Sequence, residues 1–150
     1  MKNVLAVVAA LFITVGAYAQ IENPVKWAYA AKRTSSTEAT IFLKADIQPG
    51  WHIYSLNVKD GGPIKTSFTF EKSKDYVLVG KPLEPKPLSK FEKSFGIQVT
   101  YFEKEVVFQQ KIRLKSANVP AIKGSLEYET CNNIKCLPPD DVNFTIPLGK

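Results

Sequence analysis

The chain has 150 residues, of which 45% are hydrophobic, 11% aromatic and 23% charged, with a formal net charge of +6. That is one domain's length with enough apolar side chain for a proper core, which excludes a disordered chain and a multidomain enzyme with its own large cofactor. Two cysteines, Cys131 and Cys136, and a single histidine, His52, exclude a disulfide-dense scaffold, a four-thiolate zinc ribbon and a multi-histidine metal centre.

The first segment reads as a targeting signal. Lys2 supplies a positive start, residues 4–18 are an uncharged apolar run, and Ala17-Tyr18-Ala19 fits the small-x-small rule for cleavage before Gln20. The run is shorter than the roughly 20 residues of a comfortable membrane span. Residues 1–19 are therefore expected to be a cleaved signal peptide, and 20–150 an exported, soluble domain with no membrane span of its own. Outside the cytosol, two cysteines close in sequence are expected to join as a disulfide unless something actively reduces them.

The rest of the chain reads as β throughout. Val25, Trp27 and Tyr29 alternate with polar or small residues, and Thr37 to Ile47 is a second extended run closed by Gln48-Pro49-Gly50. Trp51 to Leu56 is short and aromatic and stops before Asp60-Gly61-Gly62-Pro63. Thr66 to Phe70 and Tyr76 to Val79 follow, then two strongly period-two runs, Ile97 to Phe102 and Val106 to Leu114. Ile122, Leu126 and Tyr128 share a face, and Val142, Phe144 and Ile146 finish the chain. Short strands between Gly/Pro turns, without sustained 3.6-residue periodicity, predict an all-β, immunoglobulin-like antiparallel β-sandwich.

One stretch breaks the rhythm. Lys81 to Gly96 contains three prolines and four lysines and does not alternate. Proline removes a ladder donor and fixes φ, so a central strand is excluded there. The stretch is expected to be a solvated crossover or a functional loop. Phe91 and Phe95 favour the second reading, because they are large apolar residues where a loop should be polar.

Cys131 and Cys136 lie within Tyr128-Glu-Thr-Cys131-Asn-Asn-Ile-Lys-Cys136-Leu-Pro-Pro-Asp140. A strand is expected to end near Thr130, with extended chain forced by Pro138-Pro139, so the cysteines can face each other across a tight loop. A structural disulfide is one reading. In the chain-entropy model, however, a loop of about six residues contributes roughly 2.2 kcal/mol, against about 4.7 for one of about 100 residues. A redox-active pair is the second reading, since a short surface loop gives another thiolate access. Lys135 would favour a thiolate at Cys136, the candidate attacking sulfur, whereas Glu129 and Asp140 would oppose it. Metal binding is disfavoured: with His52 there are three ligands at most, and C-x2-C spacing is missing.

Other features point away from chemistry. His52 sits among aromatics and is expected to be packed or hydrogen-bonded, and Asp140-Asp141 reads as a turn rather than a calcium site. Asn143-Phe-Thr145 matches a glycosylation sequon within an expected strand. The basic surplus is spread along the chain, so nucleic-acid binding has no support, although acidic partner surfaces would suit it. No nucleophile–base–orienter set is visible. No cofactor and no metal are expected.

Gly50-Trp-His-Ile-Tyr-Ser55, Phe95-Gly96 and Tyr128 through Cys136-Leu-Pro-Pro-Asp140 together resemble the N-terminal periplasmic domain of the thiol:disulfide interchange protein DsbD. The resemblance runs in order through nearly all of the exported part, and its most specific element is the cysteine pair followed by Pro-Pro-acid. His52 departs from the family's aromatic pattern, and four residues between the cysteines are one fewer than in its best-known member.

The resemblance implies an immunoglobulin-like fold and a periplasmic electron relay. Such a domain takes electrons from a thioredoxin-like domain supplied through a membrane electron-transfer domain. It passes them to periplasmic disulfide isomerases and to the thioredoxins of cytochrome c maturation. Cys136 would form the mixed disulfide and Cys131 would resolve it. Phe95 would shield the pair, with Phe91 as the alternate, and Tyr54 would support it alongside His52. The membrane domain would act in trans, or within a longer chain of which this is an excerpt. The competing class is a non-catalytic exported β-sandwich, a binding or assembly module with a structural disulfide.

Overall fold

The computed structural model describes residues 22–149, so the expected signal peptide, 1–19, lies outside the described residues. In chain order the strands are β1 (Val25–Arg33), β2 (Glu38–Ile47), β3 (His52–Tyr54), β4 (Ser67–Phe70), β5 (Tyr76–Leu83) and β6 (Leu88–Glu92). Then follow β7 (Ile97–Phe102), β8 (Glu105–Leu114), β9 (Ala121–Tyr128), β10 (Thr130–Cys131) and β11 (Asp140–Pro147). No helix occurs among the described residues, and none there is long and apolar enough to cross a membrane.

The strands form three antiparallel sheets, ordered β1-β2-β8-β5, β10-β3-β7-β6 and β11-β9-β4. Alternation is clearest in β8, where Val106, Phe108, Gln110, Ile112 and Leu114 are buried and their neighbours point outward. Ile41 and Leu43 of β2 meet Ile53 of β3 and Ile122, Leu126 and Ile146 of β9 and β11 in one core cluster. The four-stranded β1-β2-β8-β5 sheet thus packs against the other two, giving an immunoglobulin-like sandwich. Aromatic edges close the gap, with Trp27 5.5 Å from Tyr128 and Phe68 5.1 Å from Phe108 between ring centres. Such pairs add about 0.5–1.5 kcal/mol each beyond the area they bury.

The stretch from Lys81 to Gly96 differs from expectation. It does cross between sheets, from β5 in one to β6 in another, but it is not one long loop, because β5 runs on to Leu83 and β6 occupies Leu88–Glu92, leaving only residues 84–87 for the crossing. Both are edge strands, where proline is tolerated because one side of the strand needs no ladder donors. Pro82 falls in the part of β5 where the register against β8 is interrupted, between Val79 and Leu83. Pro85 and Pro87 lie in the connection before β6. Asp140 and Asp141 are also not a turn; they open β11 opposite Tyr128 and Glu127.

Two local devices hold the β6–β7 hairpin in place. The Glu84 carboxylate accepts from Ser55 Oγ at 2.6 Å, Leu56 N at 2.8 Å and Asn57 Nδ2 at 2.8 Å, which ties the β5–β6 connection to the end of β3. The hairpin turn closes when the amides of Phe95 and Gly96 donate to the Glu92 carbonyl at 3.2 and 2.8 Å. Gly96 has φ of 67°, a left-handed conformation that glycine adopts without steric penalty.

Candidate functional site

β10 carries Cys131 against β3, with Cys131 opposite His52 and Thr130 opposite Ile53. The chain then reverses over four residues and returns through Cys136, which bridges back to Cys131. The Asn132 amide donates to the Lys135 carbonyl at 2.9 Å, and Leu137 N donates to the Thr130 carbonyl at 2.9 Å. The Asn132 side-chain oxygen accepts from the amides of Ile134 and Lys135, both at 2.8 Å. Asparagine favours turns because its side chain can satisfy nearby amides in this way. Four residues therefore suffice to bring the two sulfurs together as a disulfide, Cα to Cα 4.0 Å.

The two sulfurs differ in access. Cys131 is 2% exposed, packed with Tyr54 and Val99 in a small cluster of its own. Cys136 is exposed. Thiol–disulfide exchange needs an approach to sulfur, and the fold grants it at Cys136.

Beside the pair lies a cleft of about 440 Å³ between the Cys131–Cys136 loop and the β6–β7 hairpin. Tyr54, Phe91, Phe95 and Ile134 line it together with both cysteines. Phe91 stands on β6 and is 60% exposed, Phe95 is in the hairpin turn at 36%, and Ile134 at the loop tip reaches 91%. Large apolar side chains left open around a sulfur mark a surface that a partner can cover.

The floor of the site is polar and closed. His52 is buried, its ring edge-on to Tyr54 at 5.3 Å and to Tyr101 at 5.2 Å. Lys90 Nζ donates to His52 Nε2 at 3.1 Å and pairs with Glu92 at 3.1 Å, over the Tyr101 ring. Burial and the Lys90 ammonium together hold the His52 pKa down to about 4, so the imidazole is a neutral acceptor. Burial first, and then the negative charges of Glu92 and Glu129, push the Tyr54 hydroxyl well above its ordinary range.

The charges expected around the pair are redistributed. Lys135 is engaged by Glu22 at 2.5 Å, and Asp140 accepts from the Tyr128 hydroxyl at 3.1 Å. Glu129, half-buried, accepts from Ile64 N at 2.7 Å, and its carboxylate and both sulfurs lie within 4.8 Å of one another.

Residues 21–147 match the family of the thiol:disulfide interchange protein DsbD, N-terminal. The chain belongs to that family. Among solved structures it is similar to the N-terminal periplasmic domain of ScsB from Proteus mirabilis, at 23% identity and a TM-score of 0.63 over 84% of this chain. It spans about half of that structure, 47%. The DsbD N-terminal domain of Neisseria meningitidis in the reduced form gives 19% identity and a TM-score of 0.53, covering 83% of this chain and 86% of that one. The DsbD N-terminal domain in complex with the PilB N-terminal domain from Neisseria meningitidis gives 18% and 0.54, covering 84% and 87%. The likeness to these three is one of fold. No curated protein matches this chain in sequence.

Of the six residues singled out from the sequence, Tyr54, Phe91, Phe95, Cys131 and Cys136 line the cleft together, and His52 pairs with Cys131 in the β3–β10 ladder. His52 is the floor of the site rather than part of the cleft lining. Sequence reasoning did not single out Lys90, Glu92 or Ile134. Ile134 had a readable signal, an aliphatic residue within a polar loop between cysteines; the Lys90 contacts depend on strand pairing alone.

Proposed function

We propose that this domain is an exported thiol–disulfide interchange module of the periplasm that relays electrons through Cys131 and Cys136. The reading rests above all on the contrast between an exposed Cys136 and a buried Cys131 in a chain of the DsbD N-terminal family. A donor thiolate attacks Cys136 Sγ, the disulfide breaks and the electron pair leaves on Cys131. The donor's second thiol then releases the donor as a disulfide, and two protons complete the Cys131–Cys136 dithiol. In the forward half, the Cys136 thiolate attacks an acceptor disulfide. Cys131 attacks Cys136 in turn and expels the acceptor as a dithiol. Each step exchanges one S–S bond for another, so two electrons move in all.

In this reading the domain acts as a protein-disulfide reductase component. Its donor is a thioredoxin-like domain fed by a membrane electron-transfer domain, in trans or in a longer chain. Its acceptors are oxidised periplasmic disulfide isomerases or cytochrome c maturation thioredoxins. The complex of a related DsbD N-terminal domain with PilB supports docking of a separate domain on this fold. Phe95, with Phe91 beside it, shields the pair between encounters, Tyr54 and His52 support it from below, and Ile134 meets the docked partner.

A redox titration against glutathione or dithiothreitol tests the reading. A relay pair has a potential within the range of exchange proteins, about −270 to −120 mV, whereas a value below about −300 mV indicates a structural bond.

A further inference from the structure

We propose that the Glu129 carboxylate holds the reduced Cys131–Cys136 pair in its thiol form and so biases the pair toward giving electrons away. The inference rests on the reading that the pair cycles. It starts from the placement of Glu129, at the junction between β9 and β10, with a carboxylate oxygen and both sulfurs within 4.8 Å of one another. The hydrogen bond from Ile64 N at 2.7 Å fixes that side chain from the far loop.

The other charged groups facing the pair are compensated or screened. On the Cys131–Cys136 loop, the Lys135 ammonium is neutralised by Glu22 at 2.5 Å. From β6, Lys90 is shared between Glu92 and the neutral His52 of β3, each at 3.1 Å. Lys93, in the hairpin turn, lines the cleft but is exposed, where water and salt screen it. Tyr54 is a neutral phenol, and Asp140 lies at the start of β11, bound by the Tyr128 hydroxyl. Glu129 is left as the uncompensated charge nearest the sulfurs.

A negative charge under 5 Å away disfavours the thiolate. In a half-buried setting, between water and a dry interior, Coulomb's law gives a shift of about tenfold or more in the ionisation equilibrium. Two consequences follow. The resting dithiol reacts slowly with small oxidants, because the thiolate is the nucleophile. A more basic thiolate is also the poorer leaving group, so a mixed disulfide at Cys136 opens toward release of the partner's sulfur.

The test follows the pH dependence of iodoacetamide alkylation of the reduced domain. Glu129→Gln keeps an acceptor for Ile64 N and removes the charge; it should lower the midpoint enough to raise the thiolate fraction at neutral pH about tenfold. Glu129→Thr, a second neutral variant, should do the same, while Glu129→Asp should stay within about twofold of the parent. Neutral variants with an unchanged or raised midpoint overturn the proposal. A pair that stays oxidised in excess dithiothreitol would instead fail the relay reading. A pair that reduces but ionises alike with and without the Glu129 charge fails this proposal alone.

Discussion

His52 lies directly behind Cys131 in the β3–β10 ladder and beneath the hairpin that carries Phe91 and Phe95. Its protonation should therefore be felt as folding stability. The ring is 3% exposed, and burial together with the Lys90 ammonium lowers its pKa from 6.5 to about 4. The unfolded chain then binds a proton below pH 6.5 that the folded chain refuses until about pH 4. Stability must fall as pH falls through that window, and be fully present above it. The gap corresponds to about 3 kcal/mol, most of it lost by about pH 4.5. His52→Gln keeps a neutral acceptor for Lys90 and cannot titrate. Urea unfolding of both oxidised proteins at pH 7 and pH 4.5 isolates the effect, because the carboxylates titrate alike in the two. The parent should lose about 2–3 kcal/mol more than the variant. Equal losses, within about 0.5 kcal/mol, would refute the placement of a neutral His52 under the Lys90 ammonium.

The shielding role gives two further expectations. Phe95→Ala should leave stability within about 1 kcal/mol, since the ring is partly exposed in a turn, yet speed oxidation of the dithiol by oxidised glutathione severalfold. Unchanged thiol reactivity there would remove Phe95 from the shield. Phe91→Ala should change that rate less, because its ring, on the edge strand β6, is 60% exposed. Stopped-flow rates for the pair of variants decide which phenylalanine shields.

The sandwich was legible because burial on one face of a strand imposes a period of two, and β1, β2, β8 and β11 carry that period openly. β6 was hidden. Its residues Leu-Ser-Lys-Phe-Glu face the cleft and solvent rather than the core, so no alternation marks it, and the prolines before it suggest a loop. Asp140-Asp141 misled for a related reason: two acids after two prolines look like a turn until Tyr128 across the ladder supplies a donor. The cysteine pair could be read from its spacing and flanks. The balance of charge around it could not, because Lys135 meets Glu22 and Glu129 meets Ile64 only after the chain folds. Local sequence put Lys135 beside Cys136 as its activating cation, and the fold hands that cation to the chain's other end.

The central claim is that Cys136 meets partners and Cys131 resolves them. Its most direct measurement is intact mass after mixing reduced Cys131→Ser or Cys136→Ser domain with a thioredoxin-like protein that lacks its resolving cysteine and carries thionitrobenzoate as a mixed disulfide on the remaining one. With Cys131→Ser, Cys136 should attack, expel thionitrobenzoate and leave a stable mixed disulfide, because neither chain keeps a resolving thiol; with Cys136→Ser none should form. An adduct through Cys131 instead, or none with either variant, would contradict it.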